Sequence, residues 1–156
     1  MELSAAQRER YERNLLVEGF TDRMQQALIA ARVAVVGAGG LGSAALNYLV
    51  AAGVGHLTLI ENDTVSLSNL QRQVLYTTAD MGRPKAEVAA MRLSRLNPGC
   101  DIRVVTDRLT AANAAGLLGG HDAVVDCTDN YDARYVIDDF CREAEVPMIY
   151  GTAEAV

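Results

Sequence analysis

The chain has no lysine- or arginine-rich run, no C-x-x-C pair and no apolar stretch that approaches 18 residues. Each absence removes a class of function. Its 14 lysines and arginines stand against 20 aspartates and glutamates, a formal charge of −6. A binder of nucleic-acid backbones is therefore not expected, and any basic site must be local. The 3 cysteines, Cys100, Cys127 and Cys141, are odd in number and unpaired in spacing. That argues against a disulfide framework and against a zinc site, and it fits a reducing cytoplasm. The opening MELSAAQRERYERN is charged, so neither a signal peptide nor a membrane span is read from the sequence.

What is present is an alternation of patterns. The 156 residues suffice for one domain, and half are hydrophobic against 22% charged, the balance of an ordered globule. Ser4 is placed to cap a polar helix running to about Leu16, and a second helix is predicted from Asp22 to Ala30. Apolar runs of strand length recur at Arg32–Val36, His56–Ile60, Ile102–Val105, Ala123–Asp126 and Pro147–Tyr150. Helical patterns lie between them. The result expected is an α/β fold, a Rossmann-like doubly wound and mainly parallel sheet preceded by two N-terminal helices.

Leu41–Ala52 is apolar nearly all round, as in a helix wedged between the sheet and another layer, and Gly53 is suited to end it. A later helix starts at Pro84, carries Ala86, Ala89, Leu93 and Leu96 on one face, and stops at Asn97-Pro98. After the strand Met148–Tyr150 the sequence GTAEAV offers no cap or terminal helix. That ending resembles a cut within a larger fold.

The strand VAVVG runs into Gly37-Ala-Gly39-Gly40-Leu-Gly42 and then into a helix. This is the context of a nucleotide-binding turn: glycines let the backbone approach phosphates, and the helix N-terminus favours negative charge. Glu61 ends the next strand, placed to accept hydrogen bonds from a ribose. The pattern does not choose the nucleotide, because the same loop and acid form the NAD fingerprint.

A polar segment follows, Asn62 to Gln73, and then Asp80-Met-Gly-Arg-Pro-Lys85. Five motifs occur in order: Arg10 to Arg13 (R-Y-x-R), the glycine loop, Ser68 to Gln73 (S-N-L-x-R-Q), Gly82 to Lys85 (G-x-P-K) and Asp126 to Asn130 (D-C-T-D-N). On these the chain resembles the HesA/MoeB/ThiF family, relatives of the ubiquitin-activating enzymes. The resemblance implies ATP-dependent adenylylation of the C-terminal glycine carboxylate of a ubiquitin-like sulfur-carrier protein ending in Gly-Gly. It also implies Mg²⁺ as cofactor and a homodimer. Full-length members continue with more strands, paired C-x-x-C zinc ligands and the surface that cradles the carrier, so this chain would carry the nucleotide half.

Residue by residue, the resemblance assigns Asn69, Arg72 and Lys85 to the ATP phosphates. Asp129 is assigned to magnesium, and Arg13 to the ATP of the partner subunit. Gly37, Gly39, Gly40, Gly42, Glu61, Asp63 and Gln73 complete the expected nucleotide site. Taken singly, these residues have plainer readings. Lys85 and Arg13 would be solvated helix residues, Arg72 a surface ion-pair partner and Asp129 a helix N-cap, although Asn130 can cap instead. Cys127 and Cys141 read as small buried hydrophobes, and His56 and His121 as structural. Two rival functions remain: a NAD-dependent oxidoreductase domain, which leaves Arg72, Lys85 and Asp129 unexplained, and a non-catalytic nucleotide-binding or dimerisation module.

Overall fold

A computed structural model describes residues 2–152. The tail expected to end the chain abruptly lies mostly outside them, at 153–156. Ser4 caps α1 (Ala5–Arg10) in a capping box with Gln7. The single N-terminal helix expected as far as Leu16 is in fact broken at Tyr11, and α2 (Glu12–Leu15) follows. The break comes with a buried tyrosine: Tyr11 is 5% exposed, and its hydroxyl accepts a hydrogen bond from Asn97 Nδ2 at 2.9 Å. Helix α3 (Asp22–Ala30) is capped by Thr21.

Five strands form one parallel sheet: β1 (Arg32–Val36), β2 (His56–Ile60), β3 (Asp101–Val105), β4 (Ala123–Asp126) and β5 (Met148–Tyr150). Their order is β3-β2-β1-β4-β5. The winding reverses between β1 and β4, so a crevice opens beyond the carboxyl ends of these two neighbours. Helix α4 (Gly40–Ala52) joins β1 to β2, and α5 (Lys85–Leu96) leads to β3. A short α6 (Ala114–Leu118) precedes β4, and α7 (Tyr131–Glu143) precedes β5.

The sheet divides the core. Val33, Val35, Leu57 and Leu59 pack with Leu46, Val50, Val88 and Leu93 on one face. Ala34, Val36, Ile60, Val105 and Val124 pack with Leu118 and Ile137 on the other. The period of two along each strand produces this division, and burial on both faces makes the inner strands read as mainly apolar runs. On the side of α4 away from the sheet Tyr48 is 78% exposed. Leu96, expected on the buried face of α5, is 43% exposed where that helix ends.

The N-terminal helices grip the C-terminal end of α4. Ala52 O accepts from Asn14 Nδ2 at 3.1 Å and from Gln25 Nε2 at 3.0 Å, while Val50 O accepts from Asn97 Nδ2 at 2.9 Å. At Ala52 these bonds satisfy a carbonyl that the helix end leaves without a partner, and at Val50 they add to the bond from Gly53 N–H at 3.2 Å. Gly53 then turns the chain at φ 102°. The glycine loop stands at the other end of α4, which at 13 residues is about 20 Å long.

Candidate functional site

The glycine loop closes β1 onto α4 so tightly that two of its glycines admit no side chain. A Cβ on Gly42 would stand 2.1 Å from Gly37 O, and one on Gly37 would stand 2.8 Å from Cys127 O. Gly39 and Gly40 play a different part, because a Cβ there would touch Gln73 Nε2 at 3.6 Å and the Arg72 stem at 3.4 Å. The polar segment after β2 therefore folds back over the loop.

Glu61 braces the loop. Its Oε2 accepts from Ala38 N–H at 2.8 Å, and its Oε1 accepts from Asp63 N–H at 2.8 Å. A carboxylate has about four acceptor sites, so capacity for a ligand remains. From Asn62 to Pro84 the chain is irregular, with 3₁₀ turns at Leu67–Asn69 and Thr78–Asp80. Val65, Leu75 and Tyr76 anchor it in the core, each under 5% exposed. Asp80 clamps its far end, accepting from Thr77 and paired with Arg83 and Arg92.

Beyond the ends of β1, β2 and β4 lies a cleft of about 1060 Å³. Of the residues expected at the site, Gly37, Gly39, Gly40, Glu61, Asp63, Arg72, Gln73, Lys85 and Asp129 line it. Lys85 is 3% exposed, with its Nζ 3.1 Å from Asp63 Oδ2. Gln73 is 4% exposed, and its buried Oε1 has no partner among the described residues. The side chain of Asp129 makes no hydrogen bond or ion pair with any described residue, because the cap of α7 is Asn130, whose Oδ1 accepts from Ala133 N–H at 2.9 Å.

Three expected residues are not in the lining. Gly42 lies beneath the loop. Asn69 directs Oδ1 to Ser66 Oγ at 2.8 Å. Arg13 has a side chain 87% exposed on α2, beyond the far end of α4.

A model of the ThiF family matches residues 11–156. The chain belongs to the ThiF family. It is 49% identical over 152 residues to the molybdopterin-synthase adenylyltransferase of Salmonella typhimurium, covering 97% of this chain and 61% of the relative. It is 43% identical over 144 residues to the sulfur carrier protein ThiS adenylyltransferase of Escherichia coli, covering 92% of this chain and 57% of that one. This ThiF-family chain thus spans about three-fifths of such relatives. Among solved structures it is similar to the E. coli tRNA N6-threonylcarbamoyladenosine dehydratase TcdA in complex with ATP, with TM-score 0.91 and 31% identity, covering 100% of this chain and 65% of that one.

The motifs assign no role to several residues that wall or support the cleft of this ThiF-family chain. Asp107 to Ala111 form a wall after β3, which the rule that ligands bind beyond strand ends would have flagged. Asp126, wholly buried, accepts from Thr128 N–H at 2.9 Å and Oγ1 at 2.6 Å and from Arg134 Nε at 2.8 Å. This shapes the turn that carries Asp129. Tyr76 was also missed; its hydroxyl donates to Ala38 O at 2.9 Å.

The cysteines of the chain are all buried. Burial, and then the Asp126 charge, push the Cys127 thiol up to about 11, which leaves little thiolate at neutral pH. His121 bridges Leu118 O at 2.9 Å and Thr58 Oγ1 at 2.8 Å, a structural role. It also borders a smaller cavity of about 320 Å³ at the opposite ends of the strands, with Arg32, His56 and Arg103. That cavity is remote from the glycine loop. Among the described residues no helix is long and apolar enough to cross a membrane, and no three His, Cys, Asp or Glu side chains cluster as a metal cage.

Proposed function

We propose that this chain is the ATP-binding, adenylate-forming part of an enzyme that activates the C-terminal glycine carboxylate of a ubiquitin-like sulfur-carrier protein. The observation that carries the reading is the convergence of Arg72, Lys85 and Asp129 on the cleft that also holds the glycine loop. A dinucleotide site needs the loop and Glu61 but gives these charges no task.

In the reaction a carrier carboxylate oxygen bonds to the α-phosphorus of ATP, and the bond to the α,β-bridging oxygen breaks. The products are an acyl adenylate and pyrophosphate. Gly39 and Gly40 at the start of α4 offer backbone donors to phosphate oxygens. Arg72 supplies a planar guanidinium, exposed and donating to Ser68 O at 3.3 Å, and Lys85 a nearly buried ammonium held in place before the substrate arrives. Such positive charge acts by stabilising the negative charge that develops on phosphoryl oxygens.

Magnesium fits as a phosphate-borne ion, since it is held by one or two carboxylates plus phosphates rather than by an all-protein cage. Asp129, which like Asp107 and Asp132 of the lining has no partner among the described residues, is the carboxylate that would hold it. The bound ion would supply charge neutralisation at the phosphates. Because Arg13 and the loop sit at opposite ends of α4, the reading includes a homodimer in which Arg13 serves the partner's site.

The test is calorimetry with Mg-ATP and with NAD, followed by ATP–pyrophosphate exchange in the presence of a carrier ending in Gly-Gly. The expected result is ATP binding and carrier-dependent exchange. NAD binding without ATP binding would overturn the proposal.

A further inference from the structure

The peptide that joins Ala38 to Gly39 is controlled from outside the glycine loop. In a planar trans peptide the carbonyl and the following N–H point in opposite directions. The Ala38 carbonyl accepts from the Tyr76 hydroxyl at 2.9 Å, while the Ala38 N–H is held by Glu61 at 2.8 Å. Ser43 Oγ is a more distant second donor to the same carbonyl, at 3.4 Å. Gly39 lines the cleft, and its N–H has no acceptor among the described residues.

We propose that Tyr76 is a positioning residue that locks this peptide: by holding the Ala38 carbonyl inward, its hydroxyl keeps the Gly39 N–H turned into the cleft as a preset donor to a phosphate oxygen. The inference rests on the reading of the cleft as a nucleotide site. A lock is needed because glycine tolerates both orientations of a flanking peptide, so the sequence of the loop does not choose between them. The flipped peptide would present a carbonyl oxygen to an anion.

The seat of Tyr76 suits the task. Its ring is 4% exposed, and its N–H donates to Gln73 O at 3.1 Å. It therefore belongs to the same turn as Arg72 and Gln73. Arg92 holds the carbonyl of Leu75 just before it. Burial, and then the charge of Glu61, raise the phenol far above its ordinary range, so it remains an O–H donor at any working pH.

The experiment uses the 156-residue chain, isotopically labelled, and compares wild type with Tyr76→Phe. In the free wild-type protein the Gly39 amide should exchange rapidly with solvent, and ATP should protect it. Tyr76→Phe should move the Ala38 carbonyl ¹³C and Gly39 amide ¹⁵N signals. It should also weaken ATP binding about tenfold to a hundredfold, the worth of one hydrogen bond to a charged group, with adenosine affinity unchanged. Slow Gly39 exchange in the free wild-type chain overturns the lock even if the variant does not fold. So do unmoved signals with unaltered ATP affinity, or equal losses for ATP and adenosine. A wild-type chain that binds no ATP defeats the nucleotide reading instead, and the spectra of the free protein still decide the lock.

Discussion

Lys85 holds Asp63 twice, through a backbone N–H to the Asp63 carbonyl at 2.9 Å and through Nζ, 3.1 Å from Oδ2. The pair is unequal: the lysine side chain is 4% exposed and the aspartate 68%. The ammonium is fixed by its buried stem while the carboxylate is free to move aside, an arrangement suited to exchanging one anion for another.

Lys85→Met should therefore separate function from stability. Methionine fills the space of the stem, and an ion pair with one exposed partner contributes at most about 1 kcal/mol. The melting temperature should change little. Pyrophosphate exchange in the complete enzyme should fall about 10² to 10³-fold, the loss typical of one preorganised electrostatic contact. Exchange near the wild-type rate in a folded variant would remove Lys85 from the site.

Asp80 gives the fold a pH dependence. Burial pushes its carboxyl up, but hydrogen bonds from Thr77 and the charges of Arg92 and Arg83 outweigh this and hold it below its ordinary value of 3.8. A carboxyl depressed in the folded state contributes stability that is complete above the unfolded pKa and is lost as the pH falls through the folded one. Urea midpoints of the wild-type chain should fall below about pH 4. Asp80→Asn should be less stable at neutral pH and should flatten that acid limb; parallel curves for the two proteins would contradict the assignment.

The strands were legible because β1, β2 and β4 are largely buried on both faces and read as mainly apolar runs, broken inside β2 only by Thr58. Caps and stops were legible where one side chain decides them, as at Ser4 and Gly53. The break at Tyr11 was not, because it comes with a contact to Asn97, 86 residues away. Helix α6 was missed because AAGLL is too short to show a period. In the cleft, motifs pointed mostly to residues that face it, whereas the parts played behind them by Tyr76 and by the motif residue Asp126 with Arg134 depend on contacts that no motif shows. They are recognisable only once the fold brings Tyr76 to Ala38.

Two glycines should respond oppositely to alanine. At Gly42 a Cβ meets the Gly37 backbone, with O at 2.1 Å and C at 2.8 Å, and neither atom can move without opening the loop. Gly42→Ala should destabilise the chain by about 1 to 3 kcal/mol. Gly116 lies within α6 with nothing within 4 Å of its added Cβ. Gly116→Ala should stabilise by about 0.5 to 1 kcal/mol through helix propensity and a less flexible unfolded chain. Urea titrations of both variants check the pair, and equal effects would mean that the loop relaxes around the new methyl.

Arg13 carries the prediction that reaches beyond one chain. Its guanidinium is 87% exposed, and its ion pair is with the neighbouring Glu12 at 4.0 Å. Its helix sits at the end of α4 about 20 Å from the loop of the same chain. An arginine so placed can reach a nucleotide only in another subunit, and arginines supplied in this way accelerate phosphoryl transfer by about 10³ to 10⁵. In the complete enzyme, Arg13→Ala and Lys85→Met should each be inactive alone. Mixed, they should recover about a quarter of wild-type exchange activity, because random pairing in a two-fold dimer gives half mixed dimers, each with one intact site. A mixture that stays inactive although subunit exchange is demonstrated would return Arg13 to the role of a solvated helix residue.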